Sequence, residues 1–246
     1  RPAFGALRTV AAQTPGDAAR IGALGASNVS VCGNLKFDVT PVPEKILFGR
    51  SWREAIGQRP VWLAASTREG EEELVLTAWR KLAVPHALLV LVPRHPQRFG
   101  AVAELLAREK ISFGRRSEGL PGSETQVWLG DSMGEMAAYF TLADVAFIGG
   151  SLLPLGGQNL IEAAACGCPS VVGPHTFNFL QATADAIAAG AALRVDDADG
   201  LAAAIGRVFG DSGELGAMRA AALSFAAAHR GATERTVALI RSALTS

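Results

Sequence analysis

From about residue 60 onward, short runs of apolar residues alternate with stretches in which apolar positions recur every three or four residues. The runs are Val61–Ser66, Ala87–Pro93, Val127–Gly130, Val145–Gly149, Ser170–Gly173 and Leu193–Val195, with a weaker one at Ile111–Gly114. Between them, Glu69–Leu82, Pro96–Arg108, Met133–Leu142, Asn159–Cys166, Asn178–Ala188 and Leu201–Phe209 carry helical spacing. Runs without polar alternation suit strands covered on both faces, as in a parallel sheet flanked by helices. The expected fold is α/β, a doubly wound parallel sheet.

The first forty residues have a different role. Arg8–Gln13 and Val29–Cys32 read as strands around a helix over Pro15–Leu24, with Thr14 as N-cap and Gly25 as stop. Pro41, Pro43 and a short polar helix around Trp52–Ile56 read as a linker between two sheets. The expected division is residues 1–40, the tail end of one domain plus linker, and residues 41–246, the main domain. Beyond Asp211, Ala-rich helical sequence runs on with a break near Gly231, and its last helix is a candidate to cross back to the first domain. The chain opens on Arg1, with no charged segment and apolar run forming a leader, so it reads as a processed product or a piece of something longer.

Composition removes several classes. An apolar fraction of 49% is enough to fill a core, and 23 basic against 23 acidic side chains argue against a general nucleic-acid binder, which needs a basic surplus. Apolar stretches such as Ala87–Val92 fall far short of the roughly 20 residues that span a bilayer, so the chain as given is expected to be soluble. Cys32, Cys166 and Cys168 form no disulfide framework, and no second Cys/His pair completes a zinc site around the C-x-C, so no metal is expected.

In an open α/β sheet, ligands bind beyond the carboxyl ends of the strands. Ser66 ends one run, Pro93 and Arg94 end another, and Ser132, Met133 and Gly134 follow a third. The Gly149-Gly150 pair leads within a few residues to Gly156-Gly157-Gln158-Asn159, where a helix opens; glycine lets backbone approach a ligand closely, and a helix N-terminus favours phosphate. Asn159 and Glu162 share a helix face, placing a carboxylate where it could accept hydrogen bonds from ribose hydroxyls. Spacing alone leaves open the alternative that the glycines only permit tight packing and that Glu162 is solvated. Arg94 suits a phosphate or a surface salt bridge, and Ser132 suits a ligand loop or a simple helix cap. His175 and Asn178 flank Phe177 after another strand, a polar pair beside aromatics that suits a sugar. Lys36 lies where the chain leaves the first sheet.

The segments GNLKFD (33–38), ASTREGEE (65–72), PRHPQRF (93–99), GDSMGEM (130–136), FIGGSLLPLGGQNLIEAAA (147–165) and GPHTFNF (173–179), in this order, resemble the C-terminal half of 3-deoxy-D-manno-octulosonic acid (Kdo) transferases. The resemblance implies a GT-B glycosyltransferase with two Rossmann-like domains, the second of which binds the donor CMP-Kdo. It implies inverting transfer of Kdo to the lipid A precursor in lipopolysaccharide synthesis, on the cytoplasmic side of the inner membrane, with no cofactor beyond the donor substrate. CMP contacts would fall to Pro93, Arg94, Ser132, Met133, Gly134 and the helix start Asn159, Leu160, Ile161 and Glu162. Ser66, Gly157, Gln158, His175 and Asn178 complete the candidate set, and Lys36 would stabilise the charge of the departing phosphate.

Gln158 and Arg68 stand where family members often carry His. The family's general base, an acidic residue of the acceptor domain, is expected outside these residues, as are the acceptor surface and any membrane contact, so the chain alone is expected to bind nucleotide without transferring sugar. Other readings are a UDP-sugar-using GT-B enzyme, such as a 2-epimerase or N-acetylglucosaminyl transferase, and a non-catalytic nucleotide-binding module.

Overall fold

A computed structural model describes residues 2–245. The chain forms two compact units, one made of the residues up to 40 with those from 226 on, the other of residues 41–225. The first contains α1 (Pro2–Gly5), β1 (Val10–Ala12), α2 (Pro15–Ala23) and β2 (Val29–Val31), with the strands paired in parallel. Thr14 caps α2 by accepting a hydrogen bond from the Asp17 N–H at 3.1 Å.

The second unit opens with α3 (Pro43–Ile56), then β3 (Val61–Thr67), α4 (Glu71–Lys81), β4 (Leu88–Pro93), α5 (Phe99–Arg108), β5 (Phe113–Arg115) and β6 (Val127–Leu129). It continues through α6 (Met136–Leu142), β7 (Val145–Ile148), α7 (Leu160–Ala165), β8 (Ser170–Val172), α8 (Leu180–Ala188), β9 (Ala192–Arg194) and α9 (Ala198–Gly210). Its strands form one sheet in the order β5-β6-β4-β3-β7-β8-β9, parallel throughout. From β3 the chain builds outward through β4 on one side, then crosses to build through β7 on the other. The topological switch point therefore lies between β3 and β7.

Side chains alternate across the sheet and bury both faces. On one face Trp62, Leu89, Leu91, Leu129 and Phe147 pack with Val75 and Leu76 of α4, Leu106 of α5 and Leu201 and Ile205 of α9. On the other, the Trp128 ring lies 5.1 Å from Trp52 of α3 and 5.7 Å from Tyr139 of α6.

Helix α3 corrects the expectation of a short polar linker helix over Trp52–Ile56. It starts at Pro43, whose fixed φ and missing N–H suit a first helical position, and runs for 14 residues. Gly49 and Trp52 are its buried residues, and a Cβ at Gly49 would lie 2.4 Å from the Ala138 carbonyl oxygen of α6. Arg53 is 3.3 Å from the Asp144 carboxylate, which also accepts from the Val61 N–H at 2.9 Å. The segment is a helix seated on the sheet face.

The chain ends with α10 (Ser212–Ala228) and α11 (Ala232–Thr245). Residues from 226 on, α11 among them, group with the first forty, while residues 41–225 form the other unit. Within that unit the Asp38 carboxylate accepts from the backbone N–H groups of Gly231 at 2.9 Å and Thr233 at 2.8 Å. Arg235 Nε donates to the Cys32 carbonyl at 3.0 Å. No helix among the described residues is long and apolar enough to cross a membrane.

Candidate functional site

A cavity of about 230 Å³ opens at the carboxyl ends of the strands, at the switch point between β3 and β7. Ala65 and Ser66 of β3 and Ile148 of β7 form its base. The β3 pairing slips between Ala65 and Thr67, and Ser66 there takes a left-handed conformation with φ +57°. The two strand ends approach so closely that a Cβ at Gly149 would lie 2.5 Å from the Ser66 carbonyl oxygen. That position accepts glycine only.

The walls come from the loops and helices that follow. The Arg94 N–H donates to the Thr67 carbonyl at 2.9 Å, while its side-chain Nε donates to Oε1 of Gln158 at 3.2 Å. Asn159 is the N-cap of α7: its Oδ1 accepts from the Ile161 N–H at 3.0 Å, and its Nδ2 donates to Glu162 Oε1 at 3.1 Å. Met136 and Phe140, one turn apart on α6, and Phe179 add apolar surface. The cavity thus combines a permanent cation, an oriented carboxylate, two amides and apolar walls. Those groups fit an anion joined to a hydroxyl-bearing and partly apolar moiety.

Neighbouring ionisable groups are structural. Glu72, fully buried, accepts from Thr67 Oγ1 at 3.0 Å and from Arg98 Nη2 at 2.9 Å; burial nonetheless pushes its carboxyl above the usual range. The three cysteines are free thiols. Burial pushes Cys166 up to about 11 and also raises Cys168. Among the described residues, no group of three or more His, Cys, Asp or Glu side chains is placed to hold a metal ion.

Residues 1–39 match the family model described as 3-deoxy-D-manno-octulosonic-acid transferase (kdotransferase). A 3-deoxy-D-manno-octulosonic acid transferase of Bordetella pertussis is 47% identical over 244 residues, 96% of this chain and 57% of that protein. The chain therefore spans little more than half of that relative's length. The C-terminal CMP-Kdo binding domain of WaaA from Acinetobacter baumannii superposes with a TM-score of 0.70 at 32% identity, over 74% of this chain and 97% of that domain. The chain belongs to the Kdo transferase family. Anabaena Alr3699/HepE, solved with UDP-glucose, shares the fold at 13% identity with a TM-score of 0.58, over 96% of this chain and 63% of that protein.

Of the positions that the Kdo transferase resemblance points to, Ser66, Arg94, Gln158, Asn159 and Glu162 line the cavity together. Pro93 is buried at the end of β4, directly before Arg94. Ser132, Met133 and Gly134 are not part of the lining. Nor is Ser132 the cap of α6: Glu135 precedes that helix, and the Ser132 hydroxyl is drawn to the Glu135 carboxylate and lies 3.0 Å from the Tyr139 hydroxyl. Glu135 also accepts from Arg116 at 3.1 Å, whose guanidinium sits 4.9 Å from the Trp52 ring centre. Met133 is 60% exposed.

The side chains of Leu160 and Ile161 are buried, and the Ile161 N–H is occupied by Asn159, so the expected open helix terminus is closed in part by its own cap. Gly157, in a left-handed conformation at φ +77°, donates its N–H to the Gly150 carbonyl and shapes the loop without lining the cavity. Asn178 donates to the Leu155 carbonyl at 3.3 Å, and the His175 N–H to the Ser151 carbonyl at 3.0 Å; both pin loops outside the lining. Lys36 is exposed in a short turn of the first unit. Sequence reasoning missed Met136, Phe140 and Phe179. The first two were legible as an i, i+4 pair on a helix that follows a strand.

Proposed function

We propose that the parent protein transfers Kdo from CMP-Kdo to the lipid A precursor in lipopolysaccharide synthesis, and that residues 41–225 supply its donor-binding half. The observation that carries this reading is the meeting of Arg94 and Glu162 around one cavity at the switch point. Arg94 receives the phosphate, Glu162 oriented by Asn159 accepts from ribose hydroxyls, and Phe140, Met136 and Phe179 offer the base apolar surface. The similarity to the Bordetella transferase and to the Acinetobacter CMP-Kdo binding domain supports it. Breaking a glycosyl phosphate bond requires positive charge where the phosphate departs. Arg94 supplies it in this reading, with Lys36 proposed as a second stabilising cation and no cofactor invoked. The base that deprotonates the acceptor hydroxyl belongs to the acceptor-binding half, and the parent works at the cytoplasmic face of the bacterial inner membrane.

Calorimetric titration of the chain with CMP, CDP, UMP and UDP tests the reading. CMP binding tighter than UMP and UDP is expected. Preference for UMP or UDP would overturn the assignment in favour of a UDP-sugar enzyme. Sugar transfer by the chain alone would contradict the placement of the base elsewhere.

A further inference from the structure

Glu71 is fully buried, and its carboxylate accepts four backbone hydrogen bonds. Oε2 receives the N–H of Arg68 at 2.9 Å and of Gly150 at 2.5 Å; Oε1 receives Ser151 at 3.0 Å and Leu152 at 3.1 Å. One donor lies in the loop leaving β3 and three lie in the loop leaving β7. Gly150, with φ +71°, gives that second loop the turn at which successive N–H groups converge on an anion. A buried carboxylate is tolerated when its lone pairs are filled, and here four acceptor sites meet four donors.

Both clamped loops continue into the cavity. Ser66 stands two residues before Arg68. On the other side the carbonyls of Gly149 and Gly150 accept from the N–H groups of Gln158 at 3.0 Å and Gly157 at 2.7 Å, and Gln158 holds Arg94. The path from the buried carboxylate to the guanidinium is unbroken: Glu71, Gly150, the Gly157–Gln158 backbone, the Gln158 side chain, Arg94.

We propose that Glu71 is a positioning residue of the donor site, fixing the loops after β3 and β7 against each other so that Gln158 presents Arg94 to an anion. The inference rests on the nucleotide reading above. Glu71→Gln keeps the shape but turns an amide NH2 toward backbone N–H donors, and Glu71→Asp shortens the reach by one methylene. Each variant, with retained fold checked by circular dichroism and thermal melting, is expected to bind CMP about threefold to tenfold more weakly.

A general loosening of the fold would cost the same affinity in any background, whereas action through Gln158 predicts coupling. Gln158→Ala alone is expected to weaken CMP about threefold to tenfold. Adding E71Q to it is expected to cost much less than E71Q costs alone. Additive losses, wild-type affinity in E71Q, or failure of both E71Q and E71D to fold would each overturn the proposal and leave Glu71 a purely structural residue. Failure of the unsubstituted chain to bind CMP would instead refute the donor-site reading.

Discussion

Arg94 donates its Nε hydrogen to Gln158 Oε1 at 3.2 Å, joining the loop after β4 to the residues just before α7. A guanidinium has five N–H donors, and this bond uses one, which orients the fork while leaving its other edges for a bidentate anion. Arg94→Ala removes charge-assisted bonds worth about 1.5–3 kcal/mol and is expected to weaken CMP roughly tenfold to a hundredfold. Arg94→Lys should recover only part of this, because an ammonium lacks the planar fork. Calorimetry reads both variants, and unchanged affinity in Arg94→Ala would place the phosphate elsewhere.

At Gly49 the two helices on one sheet face touch. A Cβ there would lie 2.4 Å from the Ala138 carbonyl oxygen and 2.7 Å from Thr141 Cβ, so Gly49→Ala must push α3 off α6. Overpacking of this kind costs about 1–3 kcal/mol, against which the helix propensity of alanine returns about 1 kcal/mol. A lower Tm by scanning calorimetry is expected. A higher Tm would show that the helices do not meet at this residue.

Burial raises the Glu72 carboxyl above its ordinary value of 4.5. Just above pH 4.5, then, the native state holds a proton that the unfolded chain has lost, and stability falls as pH rises through the window up to the native pKa. Glu72→Gln cannot titrate. Its Tm relative to the unsubstituted chain should climb with pH across that window, whatever constant offset follows from losing the partner of Arg98. Thermal melts at stepped pH measure this slope, and a flat difference would mean that Glu72 titrates alike in both states.

The thiolate is the reactive form of cysteine. With burial pushing Cys166 to about 11 from 9.0, its thiolate fraction at pH 8 is about a hundredth of an ordinary one. Iodoacetamide should label Cys166 and Cys168 slowly in the native chain and quickly after unfolding, as read by mass spectrometry of the tryptic peptides. Rapid native labelling at Cys166 would contradict its half-buried environment.

The sheet was legible because strands buried on both faces must be apolar at every position, as Leu88 to Pro93 are. Helix α3 was hidden for a local reason: the centre of its buried stripe is Gly49, which carries no side chain to mark the period. Asn159, Glu162 and Arg94 could be placed at the rim from the strand endings alone. The capping role open to Ser132 fails because a hydroxyl that can cap a helix can also pair with a carboxylate and a phenol, and only packing around Tyr139 decides between them. Glu71 was invisible for a related reason. In Arg68-Glu69-Gly70-Glu71-Glu72 it looks like a solvated helix start, and three of its four donors come from a loop 79 to 81 residues away.

The pairing of β3 with β7 also governs the order in which the molecule can assemble. β3 and β4 join through a short crossover over α4, but the Val61 N–H finds Asp144 only 83 residues on. Non-local parallel pairing is intrinsically slow, because the closure entropy is lost before the contacts form. The cavity straddles that late seam, with Ser66 on one side and Ile148, Gln158 and Glu162 on the other. A ligand bound there recognises only the completed sheet, so it should slow unfolding while leaving the refolding rate unchanged.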